Sequence, residues 1–230
     1  MEELTFRPIA HVRSDFATKF AIPRQSGIVE ELTAEIVFEP EFRSPECLRG
    51  IEGYSHLWLL WNFSANREEG WNPTVRPPRL GGNVRMGVFA TRSPYRPNPI
   101  GLSSVKLLEV VFDSPEGPLL RIGGADLMDG TPILDIKPYV ASDCHPEARL
   151  GFTGEVEKRT VTVRCGEELL CRLPEEKREA LLGILSQDPR PAYQQDSTRI
   201  YGFPFAGLEI KFRVEEETLY VCEVNEEEKT

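Results

Sequence analysis

Two stretches decide the fold: Leu32-Thr33-Ala34-Glu35-Ile36-Val37-Phe38, and the later run His56-Leu57-Trp58-Leu59-Leu60-Trp61. In the first, Leu32, Ala34, Ile36 and Phe38 alternate with Thr33, Glu35 and Val37, the two-residue period of a strand with one buried face. The second is apolar almost throughout and reads as a central strand, with His56 a satisfied core histidine and not a catalyst. Comparable runs at residues 6–12, 85–91, 102–112, 119–127 and 133–136 are separated by Pro and Gly. Asp113-Ser114-Pro115-Glu116-Gly117 carries turn residues between two of them and reads as a hairpin connection. Short strands at this spacing predict an all-β barrel or sandwich.

Working outward, residues 72–82 hold three prolines and two glycines, which suits an exposed loop and no regular element. Ser93-Pro94-Tyr95-Arg96-Pro97-Asn98-Pro99 is stiffened by alternating prolines, and each residue before a proline is pushed to an extended backbone. After Val140 the chain turns polar, and a further strand is expected near Phe152. Pro174-Glu175-Glu176 opens a helix with Ala180, Leu181, Ile184 and Leu185 on its apolar stripe, and Asp188-Pro189 ends it. Leu208, Ile210, Phe212 and Val214 alternate as a strand, and Glu215-Glu216-Glu217 turns the chain into a last strand over 219–224. The expected architecture is mainly β: a β-rich N-terminal domain over 1–145, then a small α+β domain over 146–230, with the boundary near 141–152.

Composition bounds the function. Of 230 residues, 40% are hydrophobic and 28% charged, and no apolar run is long enough to span a bilayer. Met1-Glu2-Glu3-Leu4 lacks the basic and apolar regions of a signal peptide, so a cytoplasmic location is expected. Cys47, Cys144, Cys165, Cys171 and Cys222 are scattered and show no paired spacing for a metal, so reduced thiols and no metal are expected. The net charge of -10 argues against indiscriminate nucleic-acid binding, but the acids are unevenly placed. From Gly70 to Leu108 there is no Asp or Glu, while Arg76, Arg79, Arg85, Arg92, Arg96 and Lys106 all fall there. An Arg-biased, acid-free stretch among Pro, Gly and Asn points to anion recognition.

No G-x-G-x-x-G follows a strand and no G-x-S-x-G elbow occurs, which excludes the common dinucleotide and serine-hydrolase motifs. An acidic turn, Asp126-Leu127-Met128-Asp129-Gly130-Thr131-Pro132, precedes Asp135-Ile136-Lys137-Pro138-Tyr139, where Asp135 and Lys137 form a surface pair. Carboxylates suit a cationic ligand and arginines suit a carboxylate one.

Pro23-Arg24-Gln25, the segment from Val75-Arg76-Pro77-Pro78-Arg79 to Leu80-Gly81-Gly82, Phe89-Ala90-Thr91-Arg92-Ser93 leading into Arg96-Pro97-Asn98-Pro99-Ile100-Gly101, and residues 126–139 resemble the TsaA-like (TrmO) family. Gln187-Asp188-Pro189-Arg190-Pro191-Ala192-Tyr193 resembles the C-terminal domain of its bacterial members, so the likeness covers almost the whole chain. The resemblance implies a small β-barrel and a homodimer. It also implies an enzyme that uses S-adenosyl-L-methionine to methylate N6 of N6-threonylcarbamoyladenosine beside the anticodon of threonine tRNA. It places Pro23, Arg24, Gln25, Arg92, Leu102, Asp126, Leu127, Met128 and Asp129 at the cofactor. Candidate RNA contacts are Arg76, Arg79, Arg85, Tyr95, Arg96 and Asn98, with Arg190 and Tyr193 in the later segment. Many relatives carry His-Gln where this chain has Ser64-Ala65, a departure at the cofactor site. The catalytic base is unassigned. Two other readings stand beside this one: a noncatalytic RNA-binding β-barrel, and a small-molecule methyltransferase on the same barrel.

Overall fold

The computed structural model describes residues 4–65, 70–80, 83–155, 160–190 and 196–226. Its strands and helices run β1 (Ala10–Arg13), β2 (Thr33–Phe38), β3 (His56–Asn62), β4 (Thr74–Val75), β5 (Met86–Gly87), β6 (Ile100–Val111), β7 (Leu119–Gly123) and β8 (Pro132–Pro138). They continue with α1 (Phe152–Glu155), β9 (Thr162–Arg164), α2 (Glu167–Leu170), α3 (Glu175–Ser186), β10 (Tyr201–Phe205), β11 (Leu208–Glu215) and β12 (Thr218–Glu226). The chain groups into two units, one of residues 1–19, 24–67 and 99–139, the other of 20–23, 68–98 and 140–230.

The first unit is a closed antiparallel barrel in the order β1-β2-β7-β6-β3-β8, with β8 pairing back onto β1. Closure leaves no free sheet edge, which is how a small β-domain avoids pairing with other chains. The alternation over 32–38 comes out in part: Leu32, Ala34, Ile36 and Phe38 are buried and Thr33 is exposed, but Val37, expected on the wetter face, is buried as well at 1% exposure. Ala10, Val12, Ile36, Leu57, Leu59, Val105, Leu120, Ile122 and Ile133 fill the interior, each fully or almost fully buried. β3 is central, paired with β6 on one side and β8 on the other. His56 stands at its exposed end with Nδ1 2.9 Å from Ser55 Oγ, so the expected core histidine is a surface residue. The reason is phase: Leu57 and Leu59 take the inward positions, which sends His56 out.

Bulges interrupt β3/β8 at Leu60/Trp61 and β6/β7 at Leu107/Glu109, bending the wall as barrel corners require. Residues 113–117 form the expected turn: Gly117, at φ 87°, donates its N–H to the Ser114 carbonyl at 3.0 Å. Lys137 and Asp135 pair at 2.7 Å, also as expected.

The second unit centres on a sheet ordered β10-β11-β12-β9, in which β9 runs parallel to β12. α3 buries Ala180, Leu181, Ile184 and Leu185, and the sheet buries Phe203, Phe205, Ile210, Phe212, Val214, Leu219 and Val224. Glu175 and Glu176 lie in the first turn of α3, where the helix dipole favours negative charge.

Three local expectations fail. Residues near Phe152 form α1 and not a strand: Thr153 Oγ1 donates to the Leu150 carbonyl at 2.6 Å and Gly154 N–H to the Gly151 carbonyl at 3.1 Å, closing a helical turn. Only Met86 and Gly87 of the strand expected over 85–91 pair in a ladder. The Val88 N–H then reaches the Pro73 carbonyl at 3.0 Å and Thr91 folds back onto the Val88 carbonyl, making a 3-10 turn. Within 72–82, β4 and a 3-10 turn at Pro78–Leu80 occupy what was expected to be wholly irregular.

Candidate functional site

Three segments of the barrel unit converge at one end. The Ser104 N–H of β6 donates to Ser26 Oγ at 3.1 Å, and the Gly27 N–H donates to the Gly124 carbonyl at 2.9 Å. These two bonds lay the chain that follows Arg24 and Gln25 across β6 beside Leu102 and against the end of β7. Gly124 has to be glycine twice over: its φ is +68°, and a Cβ there would sit 3.1 Å from the Gly27 backbone. Ala125 and Asp126 follow directly, so Arg24, Gln25, Leu102 and the acidic turn share one neighbourhood. Arg24 is exposed and Gln25 half-buried, while Leu102 keeps 43% of its surface.

The acidic turn is itself pinned. Asp129 Oδ1 accepts the Ser14 N–H at 3.0 Å, the Asp129 N–H donates to the Phe16 carbonyl at 2.9 Å, and Ser14 Oγ donates to the Leu127 carbonyl at 2.9 Å. Thr131 donates from both N–H and Oγ1 to the Met128 carbonyl, at 3.2 and 2.7 Å. Leu127 is a core side chain, 1% exposed. The four residues therefore differ: Leu127 anchors, Asp129 caps the segment after β1, Met128 supplies a carbonyl to the turn, and Asp126 is half-buried with Oδ1 shielded from solvent.

Gly101, next to Leu102, is a second position fixed by contact. It faces Trp61 across the β3/β6 ladder, and the indole lies over it with Nε1 donating to the fully buried Ser103 Oγ at 3.0 Å. Trp61 also meets Phe63, with ring centroids 4.3 Å apart. At the departure from the resembling pattern, the Ala65 carbonyl accepts the Lys19 ammonium at 3.0 Å. Sequence reasoning missed these supports, Ser14, Ser26, Ser104 and Lys19, because hydroxyls and a lysine distant in sequence carry no local signal.

Pro23 and Arg92 belong to the second unit, Pro23 buried and Arg92 exposed. In the same unit Arg76, Arg85 and Asn98 are exposed, and Tyr95 keeps 40% of its surface. Arg85 Nη1 lies 3.5 Å from Thr74 Oγ1, the outer limit of a hydrogen bond. Arg96 is half-buried and donates to the carbonyls of Thr91 at 3.2 Å and Ser93 at 3.5 Å, bracing its own loop. Arg79 lies in the 3-10 turn Pro78–Leu80, its side chain outside the described residues, as is the whole of Tyr193.

Arg190 is a paired group. Its Nε and Nη2 each donate to Asp188 at 2.8 Å, with 10% of the Arg190 and 16% of the Asp188 side chain exposed. Hydrogen bonding to Asp188 raises the Arg190 pKa further, so the guanidinium is always charged. Asp188 itself ends α3 at φ 48°, a left-handed conformation that Asp tolerates better than most side chains. Among the described residues no group of three or more His, Cys, Asp or Glu could hold a metal ion.

The chain was compared with known proteins. The tRNA-methyltransferase O N-terminal domain matches residues 11–144 and the TrmO C-terminal domain matches 158–227. It is 41% identical to the Escherichia coli tRNA (adenine(37)-N6)-methyltransferase, covering 93% of this chain and 94% of that one. It is 42% identical to a Pseudomonas aeruginosa relative whose name places it with the S-adenosylmethionine-dependent methyltransferases, over 88% of this chain and 89% of the other. A crystal structure of TrmO from Pseudomonas aeruginosa superposes with a TM-score of 0.78 at 32% identity, covering 99% of each chain.

Proposed function

The chain belongs to the TrmO family of S-adenosylmethionine-dependent tRNA methyltransferases, and from that premise we propose that it methylates N6 of N6-threonylcarbamoyladenosine in threonine tRNA. Family membership makes it an enzyme of tRNA adenine methylation with S-adenosylmethionine as methyl donor; the threonylcarbamoyl group, the threonine tRNA and the residues that act are our reading. The observation that carries the site is the convergence of residues 24–27, Leu102–Ser104 and the acidic turn at one end of the barrel.

The residues there suit the donor's charges. Its sulfonium, which supplies the methyl group, is a cation that a half-buried carboxylate stabilises, and Asp126 is such a carboxylate. Its amino-acid carboxylate suits an exposed guanidinium, and Arg24 supplies one; Arg92 is assigned to the cofactor by the family resemblance alone. Asp129 already accepts the Ser14 N–H and serves to hold the turn. Pro23, Gln25, Leu102, Leu127 and Met128 complete the cofactor-binding set in this reading. The substrate nitrogen lies between a purine and a carbonyl and is a weak nucleophile while protonated, so the site must hold it in line and accept its proton. The base is unassigned.

In this reading residues 1–145 form the methyltransferase domain and 146–230 assist tRNA binding. The enzyme works as a homodimer in the cytoplasm. Arg76, Arg79, Arg85, Tyr95, Arg96 and Asn98 contact the RNA from an acid-free stretch of chain, and Arg190 and Tyr193 contribute from the later segment. Arg190, forked to Asp188, serves there by shaping the surface more than by offering a free charge.

The test is transfer of a labelled methyl group to two tRNA pools, one carrying and one lacking the threonylcarbamoyl modification. Label confined to the modified pool supports the reading. Equal labelling of both overturns the substrate assignment, and cofactor binding with no label on either favours a small-molecule substrate.

A further inference from the structure

The stretch from Gly70 to β6 displays large apolar side chains that the site described above does not use. Phe89 is 76% exposed and Trp71 51% exposed. The β4/β5 pair sets Thr74 against Gly87 and Val75 against Met86, and the Val88 N–H to the Pro73 carbonyl extends that register one step. The ladder ends there, because the chain turns into the 3-10 turn Val88–Ala90 that carries Phe89, while Trp71 lies two residues before Pro73 on the other arm. Arg76 directly follows β4 and Arg85 directly precedes β5, so both exposed arginines leave from the same end of the pair.

Phe89 is not a loose side chain. It projects from the 3-10 turn Val88–Ala90, whose Val88 is 1% exposed, and whose Val88 carbonyl takes both the Thr91 N–H at 3.2 Å and Thr91 Oγ1 at 2.9 Å. A rigid turn that buries its valine and presents its phenylalanine to water forgoes burial that would stabilise the fold. Two large, exposed aromatic side chains in one short stretch of chain are the kind of apolar surface that suits an interaction site.

We propose that Phe89 is a platform on which an unpaired nucleobase of the substrate tRNA stacks, a proposal that rests on the tRNA reading above. The surroundings select this occupant. No Asp or Glu occurs from Gly70 to Leu108, while Arg76, Arg85 and Arg92 are exposed in the same unit. Single-stranded nucleic acid offers the matching combination of phosphates and π faces. A second copy using this same stretch on both sides of a two-fold axis would bring two acid-free, arginine-bearing surfaces together, a poorer electrostatic match than phosphate.

The experiment uses the full chain and the threonine tRNA anticodon stem-loop with 2-aminopurine at an unpaired loop purine. Affinity is measured by anisotropy across salt concentrations, stacking by quenching of the 2-aminopurine, and mass by sedimentation. Phe89→Ala is expected to weaken binding about five- to a hundredfold and to abolish the quench. The salt slope stays unchanged, because no phosphate contact is lost, and S-adenosylmethionine affinity also stays unchanged. Phe89→Tyr restores the quench, which a purely structural role would not explain. Wild-type affinity and quench in Phe89→Ala overturn the proposal, as does a drop in sedimenting mass, which would assign the face to a second copy. If the wild-type protein binds S-adenosylmethionine but not the stem-loop, the tRNA reading fails and takes this proposal with it.

Discussion

Replacing Gly101 by alanine probes the end of the barrel where the expected cofactor residues meet. A methyl group built there would lie 2.5 Å from Cδ2 and from Cζ2 of Trp61 and closer still to Cε2. Carbon atoms pack at about 3.5–4 Å, so the indole must move by about 1 Å or more. The flat ring is held by its Nε1–H to Ser103 Oγ at 3.0 Å and by Phe63, and the neighbouring backbone of β6 is fixed by the ladder to β3. Overpacking costs about 1–3 kcal/mol, and stranding the buried Ser103 hydroxyl adds about 1–3 kcal/mol. Trp61 is only half-buried and part of the strain relaxes outward, which places the net cost at about 2–4 kcal/mol. For a chain of this size that lowers the melting temperature by about 4–16 °C. Scanning calorimetry with near-UV circular dichroism reads both the stability and the displaced indole. Combining Gly101→Ala with Trp61→Ala should cost clearly less than the sum of the two single changes, because the clash disappears. A melting temperature within about 1 °C of wild type, or additive single and double mutants, would refute the contact argument.

Other outcomes follow from the same geometry. Arg92→Ala should weaken S-adenosylmethionine binding by about one to two decades in calorimetry, whereas Arg190→Ala, which breaks the fork to Asp188, should leave that affinity intact and lower the melting temperature; equal effects on cofactor binding would contradict this division. Arg76→Ala should flatten the plot of log tRNA affinity against log salt by about 0.7–0.9 without altering stability, while Arg96→Ala, which also removes the bonds to Thr91 and Ser93, should lower the melting temperature as well. Arg13 holds the Glu116 carboxyl below its usual range and Lys211 does the same for Glu223. Groups depressed in this way contribute stability that is complete above the unfolded carboxylate range and is lost as pH falls through their lowered values. The melting temperature should therefore be flat near neutrality and fall in acid, with Glu116→Gln shrinking the fall; a mutant curve that overlays the wild type would dismiss the Arg13 pairing.

What the sequence made legible was what periodicity encodes. Leu32 to Phe38 and the run from His56 to Trp61 predicted strands because burial enforces a two-residue period, and α3 was readable from its stripe and its proline start. Barrel closure was not readable this way. It depends on pairing β1 with β8 across most of the unit, and the family resemblance supplied it instead. Phe152 misled because one apolar residue in a polar stretch does not distinguish a strand from a turn of helix, and local bonds from Thr153 and Gly154 settled it. His56 misled because composition does not give phase. At the site, the motif residues Arg24, Gln25, Leu102 and Asp126 were quotable from the chain. Their supports were not, since Ser26 meets Ser104 and Ser14 meets Asp129 only after the barrel has formed. Arg190 shows the converse: its motif suggested an RNA contact, and only the folded helix end reveals its fork with Asp188.

The measurement that bears most directly on the central claim is nucleoside mass spectrometry of threonine tRNA before and after incubation with this protein and S-adenosylmethionine in the presence of a chelator. The account predicts that N6-threonylcarbamoyladenosine declines as a nucleoside heavier by one methyl group appears, with the added methyl on N6 in the fragment ions. An unchanged nucleoside profile with S-adenosylmethionine bound, or a methyl group on any other atom, would contradict it.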